Sequence, residues 1–572
     1  MTKPCLYLFA NVVIFMMANS IATVQAQTKI LSKDTMPAVA DMPQHDTPIT
    51  RHLNTEIGEA GNNTGFDMAP ETTLKVVNAA VKNIPTKLPA GPFKPTWESL
   101  KANYVVPKWF IGAKFGLFMH WGVFSVPAHR NEWYEKHMYG APEVMAWHRD
   151  HFGAQDKFGY KDFIPLFTQN KFDADAWATL FKKSGAKFII PTAQHHENFA
   201  MWDSKVTPFN AKQMGPNRDL IGELCKAVRK QGLKFGVSNH GIENFQFINP
   251  PPDLLNKLKA EQADLFDPQW ADFYNVADRS DSACRKFLVN WFERNVELID
   301  KYRPDMLWFD NGIDQRYLDP LKLNIAAYYY NRARQWGKEV SVSTKKAAFA
   351  PSGTNIGTIG SILDFEGHVP PGIRTGVWQV DSQIGSTWGY TRDMRVNSAE
   401  SVIGRLIEIV SRNGTLLLNL SPKSDGTIPQ EQQETLLGIG KWLTVNGEAI
   451  YETHNWTKFG EETPGGLKIR FTVKGDVLYA IIVGKWPGSA ALLTSLARGT
   501  APSGKITSIT MLGFNAQLTF HQDPTGLKVN LPATAPCEYA YTLKITGLKI
   551  NPPTWTKSGN PVINEGTKAT GQ

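Results

Sequence analysis

Between residues 114 and 420 this chain alternates two kinds of segment, and that alternation restricts its fold more than any other feature. Apolar runs of five to seven residues occupy 114–120, 187–193, 233–238, 305–310, 339–343, 361–366, 376–380 and 415–420. Between several of them lie longer stretches with apolar residues at i, i+3 and i+4, over 174–184, 219–231, 285–302, 321–336 and 399–412. Strands that alternate with helices pair in parallel through right-handed crossovers. Eight such units predict a closed (β/α)8 barrel (TIM barrel) rather than an open doubly wound sheet. The intervals around strands six and seven are too short for a full helix, so helices are expected to be missing there. A last helical pattern at 431–445 closes the barrel.

After about residue 451 the apolar period falls to two, at 467–473, 477–483, 506–511, 517–520, 527–531 and 539–545. Short alternating strands broken by Gly, Asp and Pro predict an antiparallel β-sandwich. The expected organisation is a signal peptide over 1–26, a polar leader or linker over 27–92, the barrel domain over 93–453, the sandwich over 454–550 and a polar tail over 551–572. Two packed domains suit 572 residues with 42% hydrophobic composition. The signal-peptide reading rests on Lys3, the apolar stretch 5–18 and the small-residue site Val24-Gln25-Ala26. It predicts export to the periplasm or the extracellular space, and no other segment is long enough to form an integral membrane domain.

The net charge of +8 comes from 61 basic residues dispersed among 53 acidic ones, without a run of five or six Lys/Arg, so no nucleic-acid partner is expected. Cleavage of the leader removes Cys5 and leaves Cys225, Cys284 and Cys537, an odd number without CxxC spacing. Neither a metal knuckle nor a disulfide framework follows. One bridge or three free thiols both remain open.

Catalytic groups of such a barrel sit at the C-terminal ends of its strands. There the sequence places His120-Trp121, His195-His196-Glu197, Asn239-His240, Asp310-Asn311, Glu366, Asp381 and Asn419. His and Asn bond hydroxyls, Trp stacks on a sugar ring and paired carboxylates break a glycosidic bond, so the set points to a carbohydrate pocket. A zinc site is not expected, because Ala200 stands where the second His of HExxH belongs, and no metal or other cofactor is called for. The chain also lacks a GxSxG elbow and a phosphate-binding P-loop.

Six segments then carry a resemblance: Lys114 through the Met119-His120-Trp121-Gly122 turn to Pro127, Asn131-Glu132-Trp133-Tyr134, Gln194-His195-His196-Glu197-Asn198-Phe199, Leu307-Trp308-Phe309-Asp310, Ser386-Thr387-Trp388-Gly389-Tyr390, and Asn413 to Pro422. In that order they closely resemble glycoside hydrolase family 29, the α-L-fucosidases. The resemblance implies a barrel followed by a β-sandwich, agreeing with the periodicity. It also implies hydrolysis of terminal α-L-fucosyl linkages in fucosylated oligosaccharides or polysaccharides, by double displacement with retention. Asp310 is then the nucleophile. His120, His195 and His196 correspond to sugar-hydroxyl ligands, Glu132 to a carboxylate on a hydroxyl, and Trp133 and Trp308 to pocket walls. Trp121, Trp378 and Trp388 are further candidate binding residues. His240 lies where many members carry Tyr.

The chain departs from better-known members at Gln379, which follows Trp378 where they often carry Glu. Glu366 is therefore the first choice of acid/base and Asp381 the second. Two alternatives stay open: the same machinery acting on another sugar such as a galactoside, and a carbohydrate-binding protein that has lost proton transfer.

Overall fold

Eight strands do close into a parallel barrel in sequence order, with the eighth pairing back to the first. They are β1 (Phe115–Met119), β2 (Phe188–Gln194), β3 (Lys234–Asn239), β4 (Met306–Phe309), β5 (Ser341–Lys345), β6 (Ser361–Asp364), β7 (Trp378–Gln383) and β8 (Gly414–Leu420). This computed structural model describes residues 70–550, apart from 347, 352–357, 375, 464 and 501. The expected signal peptide and the polar tail lie outside the described residues.

The C-terminal end of the leader is not merely a linker. Helix α1 (Pro70–Asn83) buries Val76, Val77 and Ala80 in the barrel domain's core. A fully buried valine contributes about 1.5–3 kcal/mol, enough to hold a short amphipathic segment in place. The sequence shows only a weak helical pattern here, over Leu74 to Val81, and the Gly, Asn and Pro clusters around it made the segment read as a linker.

The helices that follow β1 to β4 and β7 include α2 (Ala174–Lys183), α3 (Leu220–Lys230), α4 (Asp281–Tyr302), α5 (Asp319–Gln335) and α6 (Ala399–Ser411). Asp173, Asp219, Ser280 and Ser398 cap four of them by accepting a backbone N–H from the first turn. No helix is assigned to the described residues between β5 and β6 or between β6 and β7, and α7 (Gln430–Asn446) follows β8.

Side chains on a strand alternate faces, and this parity sorts the polar residues. Phe118 in β1 meets Trp308 of β4, with ring centroids 4.8 Å apart inside the barrel, whereas Phe309 meets Trp291 of α4 outside it. Each inward residue two positions further along rises toward the mouth: Phe118 leads to His120, Trp308 to Asp310, Ser343 to Lys345 and Gln379 to Asp381.

The C-terminal domain contains a six-stranded and a three-stranded antiparallel sheet around its own apolar core. It is latched to the barrel. Arg470 and Lys468 both reach Glu408 of α6, at 2.8 and 2.6 Å. Trp442 of α7 donates Nε1–H to Ala540 O (2.9 Å), and Thr542 Oγ1 donates to Asn446 Oδ1 (2.7 Å). Cys225, Cys284 and Cys537 are free thiols. No helix of the described residues is long and apolar enough to cross a membrane.

Candidate active site

One cavity at the barrel mouth is lined by His120, Asn131, Glu132, Trp133, His195, Asp310, Asn311, Lys345, Glu366 and Trp388. Asp310 follows β4 at its centre. Its Oδ2 accepts from His240 Nδ1 (2.7 Å) and lies 3.5 Å from His196 Nε2, while Oδ1 lies 2.9 Å from the Lys345 ammonium. Burial acts to raise this carboxyl, but Lys345, His240 and His196 together outweigh it and hold Asp310 well below the usual carboxylate range. Asp310 is therefore held as an anion at neutral pH.

Lys345 stands among three acids, 2.9 Å from Asp310, 2.9 Å from Glu366 and 3.5 Å from Asp381. Burial opposes its charge, and those three groups reverse the effect, holding the ammonium well above its ordinary value. Lys345 was missed in the sequence because strand five was ended at Ser343. The signal was present: Ser341, Ser343 and Lys345 share one parity, so a strand two residues longer delivers a lysine to the mouth.

Glu366 lies two residues beyond β6 and lines the cavity, with its side chain 21% exposed. Asp381 does not line it. Its side chain is 1% exposed, and burial followed by the neighbouring Asp364 raises its carboxyl well above the ordinary range. Glu132 does line the cavity. Its Oε2 accepts from Gly389 N–H (3.0 Å), and burial raises it to about 7 against that bond.

The histidines divide by task. His120 gives Nδ1–H to Asn419 Oδ1 (2.7 Å), whose own amide donates to Trp388 O (2.8 Å), so Nε2 remains the ring's acceptor. His195 Nδ1 lies 3.3 Å from Glu197 Oε2 without hydrogen-bond alignment. Burial lowers His195 far below its ordinary value and raises Glu197 to about 8, so this contact joins two neutral groups at neutral pH. His196 and His240 hold Asp310 instead of lining the cavity, and burial takes His196 down to about 3.

Among the tryptophans, Trp388 and Trp133 line the cavity, while Trp308 lies beneath it, donating Nε1–H to Asp364 Oδ2 (2.8 Å) under the Lys345 ammonium. Trp121 and Trp378 belong elsewhere. Each has outward parity: Trp121 packs on Phe172 and Trp177, and Trp378 packs edge-on against Phe365 and over Gly414, where an added Cβ would come within 2.5 Å of its ring. Both tryptophans are packing residues between barrel and surroundings. Gln379 is fully buried inside the barrel, donating to Ser343 Oγ (3.1 Å) and Asp364 Oδ2.

Two trios of possible metal ligands occur among the described residues, His120/His195/His240 and His196/His240/Asp310. In the second trio Asp310 already carries the Lys345 ammonium and the His240 N–H, and in the first His120 is tied to Asn419 through Nδ1, with Nε2 left as its acceptor.

The arrangement of an anionic carboxylate, a second carboxylate across one cation, and neutral histidines with aromatic walls can bind a sugar and attack its anomeric carbon. Comparisons with known proteins agree. The α-L-fucosidase family model matches residues 80–448, and the α-L-fucosidase C-terminal domain model matches 466–546. Human tissue α-L-fucosidase is 32% identical over 492 residues, covering 82% of this chain and 95% of that enzyme. Human plasma α-L-fucosidase is 33% identical over 476 residues, covering 80% and 93%. The Thermotoga maritima α-fucosidase, solved with a mechanism-based inhibitor, superposes with a TM-score of 0.64 at 32% identity, covering 79% of this chain and 100% of that one. The same enzyme with fucose gives 0.63 at 31% identity, covering 79% and 99%. With both its domains matched and its barrel mouth so equipped, the chain belongs to the α-L-fucosidases, glycoside hydrolase family 29.

Proposed function

We propose that this glycoside hydrolase releases terminal α-L-fucosyl groups with retention of configuration, using Asp310 as nucleophile and Glu366 as acid/base. The observation that carries this reading is the pair of carboxylates lining one cavity, each 2.9 Å from Lys345 Nζ. In the first step an Asp310 oxygen bonds to the anomeric carbon as the bond to the leaving oxygen breaks, and Glu366 gives that oxygen its proton. In the second, Glu366 takes a proton from water, the water oxygen bonds to the anomeric carbon, and the Asp310 ester is cleaved. His120 Nε2 is a ready acceptor for a sugar hydroxyl, and Trp388 supplies an apolar face. The named relatives and the Thermotoga complexes with fucose and a mechanism-based inhibitor support the substrate class.

The absence of Glu after Trp378 does not weaken this reading, because Gln379 points into the barrel interior and is not a cavity residue. Turnover of 4-nitrophenyl α-L-fucoside beside the matching galactoside tests the sugar. Azide tests the roles: Glu366→Ala should regain turnover and yield the azide of retained configuration, whereas Asp310→Ala should yield the inverted one. Rescue of Asp381→Ala in place of Glu366→Ala would transfer the acid role to Asp381.

A further inference from the structure

A second cavity, of about 280 Å³, lies outside the barrel, between the N-terminal turns of α4 and the segments around residues 206–209 and 271–278. Its inner end is formed by Arg294 of α4, only 4% exposed. Nε donates to Asn290 Oδ1 (2.6 Å), and Nη1 to Asn198 Oδ1 (2.7 Å), Asn198 O (3.2 Å) and Gln194 Oε1 (3.1 Å). Every one of these acceptors is a neutral amide oxygen.

Among the described residues no carboxylate lies within ion-pair distance of Arg294, and Nη2 gives its hydrogens to no protein acceptor. The nearest acids, Glu297 and Asp272, act on it from beyond ion-pair distance. Glu297 accepts from Trp202 Nε1, Ser204 Oγ and Lys205 N, and Asp272 is paired with Lys286 at 2.6 Å. Burial pushes the guanidinium down to about 9, so it remains a cation at neutral pH. Burial opposes that charge, and an anion seated on Nη2 would give the guanidinium the direct partner it lacks.

We propose that this cavity binds a small oxyanion-bearing ligand, its carboxylate or sulfate seated on Arg294 Nη2 and its body against Phe209 and Phe287. A guanidinium offers an oxyanion donors in a fixed plane. The first turn of α4, which contributes Ser282 and Ala283 to the wall, adds the partial positive charge of a helix N-terminus. The site is separate from the catalytic cavity yet joined to it covalently, because Gln194 immediately precedes His195.

The test is calorimetric titration of the full chain at pH 7 with glucuronate, inorganic sulfate and, as the neutral match, glucose. Arg294→Met also loosens the segment bearing His195, so the deciding variant is Ala283→Phe, which fills the cavity mouth without touching the catalytic residues. The expected result is saturable binding of the anions but not of glucose, weakened at least tenfold in Ala283→Phe, with fucoside turnover by that variant unchanged. Glucuronate binding more tightly than sulfate supports a sugar acid, and equal affinity supports a free oxyanion. No saturable binding up to about 10 mM, equal binding of glucose, or binding unchanged in Ala283→Phe overturns the proposal.

Discussion

The two halves of the barrel mouth prepare their side chains by opposite means. On the β1–β3 side, burial removes charge from His120, His195 and Glu197, and fixed neighbours such as Asn419 set which nitrogen is free. On the β4–β7 side, burial would remove charge equally, but Lys345 and Asp310 preserve each other's. One half is thus a neutral hydrogen-bonding surface suited to hydroxyls, and the other a charged cluster. The same degree of burial gives opposite protonation: Lys345 and Asp310, 2.9 Å apart, keep each other charged, whereas Asp381, 3.5 Å from Lys345 with Asp364 beside it, is raised.

The sharpest break in this comparison is Asp310→Ala. It removes the proposed nucleophile and leaves Lys345 facing fewer anions, so kcat for an aryl fucoside should fall about 10^4-fold or more, measured by initial rates. Next is Lys345→Met, expected to lower kcat/KM by roughly 10^2- to 10^3-fold as preorganised charge is lost. The sign of its pH effect follows from the geometry: without the ammonium the Asp310 carboxyl rises, so the acid limb of the kcat/KM profile should move to higher pH. An unmoved limb would mean that the histidines alone keep Asp310 ionised.

The neutral half should respond more mildly and without a charge signature. His120→Ala should cost roughly tenfold to a hundredfold in kcat/KM, about the worth of one or two hydrogen bonds, with the acid limb unmoved. The smallest effect concerns stability. Glu135 is fully buried behind this half, neither carboxyl oxygen has a partner, and burial followed by Glu197 and Asp264 raises it well above its ordinary 4.5. The native protein keeps this proton where the unfolded chain has lost it, so stability falls as pH rises from about 4.5 toward the raised value. Glu135→Gln should leave Tm unchanged at acid pH and raise it by about 2 °C or more at alkaline pH, measured by scanning calorimetry.

Much of the barrel was legible in the sequence because short apolar runs and the stretches of period near 3.6 between them are independent signals that agree. The histidines and Asp310 could be placed because each closes an apolar run. Parity was harder to read. Trp121 and Trp378 sit one residue away from inward positions, and one residue on a strand exchanges the barrel's interior for its exterior. Lys345 was lost to a boundary set two residues short, and Asp381 was judged by proximity to a strand end when its depth in the barrel is what matters. In the C-terminal domain, the strands at Gly460–Glu462 and Ala490–Leu493 are too short for an alternating pattern to register.

The latch at Glu408 also has a meaning in time. Helices α6 and α7 complete the barrel wall, yet the partners that cover them, Arg470, Ala540 and Thr542, are made only later as synthesis proceeds from N- to C-terminus. A chain that ended between α7 and Ala540 would lack Ala540 and Thr542 as partners of α7, so the last strands of the sandwich act as the closing stitch of the barrel's exterior.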